Sequence, residues 1–335
     1  MIDKPVYTLK SIKNLKGKNM IHKTMNWQLV EEELDEYVWD KATAQFWLDT
    51  RVPVSNDLLD WKQLTDLEKG VVKKAVGGLA LLDTLQSEEG LYALKKNART
   101  QKEKAVLSDF TFMESIHAKT YGTILISLNT FKEIEEIYDW MNNDKKMQLK
   151  VQKINEVYQN GTPMQIKVAS VFFEGILYYS NFFIPLWYRG QNKLANLAEL
   201  IKLVIRDESV HGTYLGYKFR QDFEELDPEE QEDFTKWMYE FLEELLENEF
   251  AYTEEVYKEI GLIEDIKTFV KYNANKSLQN MGFGIYFDDA FASDVNPIVM
   301  NGISIETANH DFFSQVGAGY LMGEAEEMLE EDYDF

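Results

Sequence analysis

An all-α fold, a bundle of long helices around buried carboxylates and imidazoles, is what this sequence predicts, and three observations carry that prediction. No proline occurs between Pro53 and Pro163. Across that span apolar residues recur mostly at three- and four-residue intervals, the period of a helix packed on one side. The tetrad Glu-x-x-His occurs twice, as Glu114/His117 and Glu208/His211. Each copy follows an isolated acid in an apolar run, Asp83 lying 31 residues before Glu114 and Glu174 lying 34 before Glu208. Positions i and i+3 share a helix face, so each motif aims one carboxylate and one imidazole at the same spot.

The elements follow in chain order. Residues 1–24 read as a basic arm, with six lysines in the first 23 positions and no continuous apolar stretch of the signal-peptide kind. Residues 25–315 read as one helical domain, and 316–335 as an acidic tail. Around Glu114 the chain runs Phe110-Thr111-Phe112-Met113, and around Glu174 it runs Val171-Phe172-Phe173 and Gly175-Ile176-Leu177-Tyr178-Tyr179. Helices apolar on nearly all sides are buried, so these acids are expected to be buried with them. Asp227-Pro228-Glu229 reads as a helix start: a capping side chain, a proline in the first turn and an acid at the positive end of the dipole. Beyond it Phe234, Met238, Phe241, Leu242 and Leu245 form an apolar stripe, while Glu240, Glu243, Glu244 and Glu247 fall on a solvated face. No solenoid-type repeat is present. The acid-then-Glu-x-x-His pattern does recur, its motifs 94 residues apart, which suggests two helix pairs related by pseudo-symmetry.

Composition excludes several classes of function. A formal charge of −23 and a pI near 4.6 oppose nucleic-acid binding, which needs a basic face. With no cysteine there are no disulfides, thiolate metal sites or thiol nucleophiles. No run of 18 apolar residues provides a membrane span, and the chain is expected to be soluble and cytoplasmic.

Four buried carboxylates and two imidazoles make a ligand set for two metal ions. One divalent cation would leave a buried charge that desolvation makes expensive, whereas two balance the carboxylates. Single Glu-x-x-His motifs are weak signals in so acidic a chain. Here, however, two of them use two of only four histidines and each has an upstream acid. Oxygen-rich ligands with some imidazole suit manganese or iron, while zinc would bring no redox change. A bundle supplying an acid from two helices and Glu-x-x-His from two others is the ferritin-like dimetal arrangement. Such a site can store metal, oxidise a small molecule or generate a radical. Tyr121 points to the radical: four residues after His117 and seven after Glu114, it shares their helix face. A phenol yields an electron readily only if its proton leaves too, and Asp83 is the candidate acceptor.

Taken in order, Leu82-Asp83-Thr84, Phe112-Met113-Glu114-Ser115-Ile116-His117-Ala118-Lys119 with Tyr121, Glu174, and Ile205-Arg206-Asp207-Glu208-Ser209-Val210-His211-Gly212 resemble the radical-generating small subunit of class Ib ribonucleotide reductase. Phe46-Trp47, Pro53-Val54-Ser55-Asn56-Asp57 and Asn309-His310-Asp311-Phe312-Phe313-Ser314 extend the resemblance from about residue 25 to the C-terminus. It implies a homodimer. Each subunit would hold Asp83, Glu114 and His117 on one metal and Glu174, Glu208 and His211 on the other, with glutamates available to bridge.

The resemblance also implies two manganese or two iron ions per subunit. The manganese form would be activated by an oxidant from a reduced flavodoxin-like protein. Tyr121 would become a stable tyrosyl radical, passed reversibly to a separate large subunit that reduces ribonucleoside diphosphates. Trp47, Asp207 and His117 match the family's internal relay, and Tyr333 matches the aromatic position that carries the radical across the subunit boundary.

The tail, with seven acids in its last 12 residues and Phe335 at its end, suits docking to that subunit. Tyr178, Phe182 and Val204 are expected to line a dry radical pocket. Tyr178 departs from the family, which usually has phenylalanine there. A ferritin-like oxidase or hydroxylase, or a metal-storage protein, would use the same ligands without Tyr121, Trp47 or the tail.

Overall fold

The computed structural model describes residues 24–304, and every element among them is helical. The arm up to residue 23, the segment 305–315 and the tail 316–335, with Tyr333, lie outside the described residues. Helix α1 spans Glu33–Ala44, α2 Leu58–Gln63, α3 Asp66–Leu85, α4 Leu91–Lys96, α5 Gln101–Leu128, α6 Phe131–Asn143 and α7 Lys145–Asn160. Then come α8 Pro163–Phe172, α9 Tyr179–Gly190, α10 Ala195–Phe223, α11 Pro228–Tyr257, α12 Ile263–Asn280 and α13 Pro297–Ser304.

Local chemistry sets the boundaries. Thr65, Thr130, Thr162 and Asp227 each cap a helix reciprocally with the residue three positions on, Glu68, Glu133, Gln165 and Glu230. The predicted start at Asp227-Pro228 is therefore present, and α11 buries Met238, Phe241, Leu242 and Leu245 while exposing Glu240, Glu243, Glu244 and Glu247. The long helix α10 is capped from a distance. Leu194, at its N-terminus, has φ 49° and no capping side chain, so Asp57 accepts from the backbone N–H groups of Asn196 (3.1 Å) and Leu197 (2.7 Å) instead. That bond ties the segment 53–57 to the start of the helix carrying Glu208 and His211.

The ligand-bearing helices form two packed pairs, as the doubled motif predicts: α3 against α5, and α8 against α10. Helix α9 packs on both α3 and α10 and closes the bundle. Two departures from regular helix matter. A π-helical turn, Gln86–Gly90, follows Asp83, and a second, Phe173–Leu177, carries Glu174. Glu174 thus sits in a widened turn rather than in a regular apolar α-helix. Such turns re-aim side chains and recur at functional sites.

A second difference concerns α5, whose apolar run predicts burial all round. Phe112 is 53% exposed and stacks on Phe46, itself 46% exposed, with ring centroids 5.9 Å apart.

Candidate metal centre

Helix α3 supplies Asp83, α5 supplies Glu114 and His117, the second π turn supplies Glu174, and α10 supplies Glu208 and His211. All six are buried. They form two overlapping sets, each with ligand atoms within 4.8 Å of one another: Asp83, Glu114, His117 and Glu208, and Glu114, Glu174, Glu208 and His211. Glu114 and Glu208 belong to both sets, Asp83 and His117 to the first alone, and Glu174 and His211 to the second alone. Glu208 places one oxygen 3.1 Å from His117 Nδ1 and the other 3.2 Å from His211 Nδ1. Glu114 does the same at 3.5 and 2.9 Å.

The donor set fits a pair of cations. Both carboxylate oxygens of Asp83, Glu114 and Glu208, together with Glu174 Oε2 and the Nδ1 atoms of both histidines, are buried without a hydrogen bond. So many converging, desolvated acceptors are costly unless positive charge completes them. Oxygen-rich, sulfur-free ligation of this kind suits manganese or iron.

Protonation follows the same logic. Burial, reinforced by Glu114 and Glu208, pushes the Asp83 carboxyl well above its usual range. Burial and Glu208 push Glu174 up to about 8. Glu208 is also buried, but the His117 and His211 rings, 3.1 and 3.2 Å from its two oxygens, hold it at about 2. Burial lowers His117 and His211, yet the surrounding carboxylates outweigh it and raise both well above the ordinary imidazole value. Near neutral pH the metal-free site therefore holds protons that cations must displace. Metal loading is expected to release protons and to tighten as pH rises. Calorimetry in buffers of different ionisation enthalpy checks this, and pH-independent binding between about pH 6 and 8 would contradict it.

Tyr121 is fully buried and its hydroxyl makes no hydrogen bond. Burial raises its pKa well above 10, and Asp83 adds the largest contribution among the nearby carboxylates. Tyr178 is in the same position, raised first by burial and then by Asp83, with its hydroxyl also unpartnered. The Asp83 carboxylate therefore acts on both phenols. Phe182 and Val204 are fully buried, and Phe173 and Phe182 meet the Tyr178 ring edge-on at 5.2 and 5.9 Å.

On the other side of His117, the Trp47 indole N–H donates to Asp207 Oδ2 at 2.7 Å, and His117 Nε2 lies 3.2 Å from the same oxygen. Asp207 on its own reads as a surface helix acid, yet it is only 7% exposed. Burial would raise its pKa, but His117, Arg206 and the Trp47 hydrogen bond together lower it. Arg206 grips Asp207 Oδ1 through Nε (3.0 Å) and Nη2 (2.8 Å) and also donates to the Gln45 carbonyl. Sequence reasoning assigned Arg206 no role, because adjacent residues on a helix do not face each other.

Residues 24–297 match the family model described as ribonucleotide reductase, small chain. The ribonucleoside-diphosphate reductase subunit beta of Mycobacterium leprae is 41% identical over 312 residues, covering 93% of this chain and 96% of the relative. Ribonucleoside-diphosphate reductase 2 subunit beta of Escherichia coli strain K12 is 40% identical over 312 residues, covering 93% and 98%. Among solved structures, dimanganese(II)-NrdF of Streptococcus sanguinis superposes with a TM-score of 0.84 at 55% identity, over 84% of this chain and 100% of the other.

Proposed function

Because the chain belongs to the ribonucleotide reductase small-chain family, we propose that Asp83, Glu114, His117, Glu174, Glu208 and His211 hold its two metal ions and that Tyr121 carries its radical. The family function itself is that of the radical-generating subunit of ribonucleoside-diphosphate reductase, with a dimetal cofactor, a tyrosyl radical, a large-subunit partner and a homodimeric state. One observation supports the residue assignments above all: two buried ligand sets share Glu114 and Glu208, with Tyr121 under the influence of Asp83. The Streptococcus sanguinis relative is a dimanganese(II) protein, and since the oxygen-rich ligands of this chain suit manganese and iron alike, that likeness assigns it a manganese pair, with iron as the alternative.

A metal pair held there would, once oxidised by an oxygen species, supply the one-electron oxidising equivalent. Tyr121 gives up an electron and its phenolic proton, and Asp83 accepts the proton. Phe182 and Val204 keep water and reductants from the phenoxyl so formed. As the radical leaves, Tyr121 regains an electron and its proton, and Trp47 loses an electron while its indole proton shifts along the 2.7 Å hydrogen bond to Asp207 Oδ2. Arg206 keeps Asp207 ionised and aimed, and His117 joins that carboxylate to the metal site. The acidic tail with Tyr333 is assigned to docking and radical transfer at the large subunit, and a flavodoxin-like protein to activation. No described helix is long and apolar enough to cross a membrane.

The relay is tested by turnover of a ribonucleoside diphosphate with the large subunit. Trp47→Phe keeps a buried ring but removes the N–H and the oxidisable indole, and Tyr333→Phe removes the phenol assigned to radical transfer. Each is expected to cut turnover at least ~100-fold, ~2.7 kcal/mol, with metal content unchanged. Turnover within twofold of wild type would remove that residue from the path.

A further inference from the structure

Glu174 is treated differently from the other acids of the site. Whereas Asp83, Glu114 and Glu208 leave both oxygens without hydrogen bonds, Glu174 leaves only Oε2. Its Oε1 accepts from Gln86 Nε2 and, at 3.4 Å, from Ser170 Oγ. Gln86 Nε2 also donates to Ser170 Oγ at 2.7 Å, and Gln86 Oε1 accepts from the Tyr158 hydroxyl at 2.6 Å. All three partners are buried. The Gln86 amide is thereby held at both ends: its carbonyl accepts from the Tyr158 O–H, and its N–H₂ donates to the Glu174 carboxylate.

The backbone is built around this contact. Gln86 opens the π turn that follows Asp83, and Gly90 closes it. A Cβ at Gly90 would overlap both Gln86 Oε1 and the Tyr158 ring, so the glycine preserves the Tyr158–Gln86 bond.

We propose that Gln86, oriented by Tyr158 and seconded by Ser170, is the positioning residue that holds Glu174 Oε1 and presents only Oε2 to the metal sharing Glu174 and His211. The proposal rests on the dimetal assignment above. It makes the two metal positions unequal: one carboxylate is clamped by a neutral amide, while its counterpart Asp83 has neither oxygen hydrogen-bonded. Hydrogen-bond partners of this kind orient a ligand before the ion arrives, and their loss typically weakens binding by about 10- to 100-fold.

The test is Mn(II) titration of metal-free full-length protein, followed by calorimetry and electron paramagnetic resonance. Wild type is expected to bind two ions and give the broad signal of a coupled pair. In Gln86→Ala one of the two ions is expected to bind about 10- to 100-fold more weakly, leaving the six-line signal of an isolated Mn(II) at intermediate metal concentrations. Tyr158→Phe, which changes one hydroxyl and preserves packing, is expected to weaken the same ion less. It decides the matter if the alanine variant does not fold. Unchanged affinities in the folded variants, or equal weakening of both ions, would overturn the proposal. A wild type that itself binds fewer than two ions would instead overturn the dimetal assignment, and the clamp with it.

Discussion

Tyr121→Phe is expected to lose reductase turnover by at least about three orders of magnitude, ~4 kcal/mol of barrier, while binding two metal ions as wild type does. The substitution removes one oxygen from a side chain that is fully buried and whose hydroxyl makes no hydrogen bond. Folding and metal affinity therefore have little reason to change, because no bonded partner is left unsatisfied. What disappears is the only group on the His117 face of α5 that can give up an electron and a proton together. The companion variant Tyr178→Phe is expected to retain turnover: its phenol also feels Asp83, but it lies on the segment after Glu174 and has no place in the Trp47–Asp207–His117 path. Turnover assays with the large subunit, beside metal analysis of each variant, separate these outcomes. A Tyr121→Phe protein that retains turnover would transfer the radical role to Tyr178 or remove it from both.

Glu208→Ala is expected to abolish tight binding of both metals, by at least about 100-fold each, beyond the loss typical of a residue that merely orients a ligand. Glu208 belongs to both ligand sets and puts an oxygen near each histidine. Its loss removes a ligand from each ion and leaves three carboxylates in the same buried volume. Asp83→Ala is the contrast, since Asp83 belongs to one set only and its removal is expected to weaken one ion more than the other. Metal content after desalting, measured on both variants, distinguishes a shared ligand from an unshared one. Retention of one tightly bound ion by Glu208→Ala would show that it does not bridge.

The i, i+3 spacing of the two Glu-x-x-His motifs made the convergence of their four buried side chains legible in the sequence. The two upstream acids stood out because an isolated carboxylate inside an apolar run needs a reason to be there. The cap at Asp227-Pro228 was equally readable, being a purely local pattern. Less could be read where the structure depends on partners far apart in the chain. Neither π turn has a residue signature, so the widened backbone at Glu174 and the inward turn of Gln86 appear only once the helices pack. Gln86 does lie three residues after Asp83, on the same helix face, and that spacing was the available hint. Asp57 capping α10 and Arg206 gripping its neighbour Asp207 depend on tertiary geometry that periodicity does not encode. The sharing of Glu114 and Glu208 likewise follows from where two helix pairs meet, and the exposed Phe46–Phe112 pair from a helix face that no described element covers.

The most direct measurement is electron paramagnetic resonance of the protein loaded with manganese(II) and oxidised through a reduced flavodoxin-like partner with oxygen, and in parallel loaded with iron(II) and oxygen. Protein containing ring-deuterated tyrosine and the Tyr121→Phe variant are measured alongside. A tyrosyl signal whose hyperfine structure collapses on deuteration and which is absent from Tyr121→Phe is the result expected of a buried dimetal site oxidising that phenol. Oxidised metal with no tyrosyl radical under either condition, or a radical that survives in Tyr121→Phe, would contradict it.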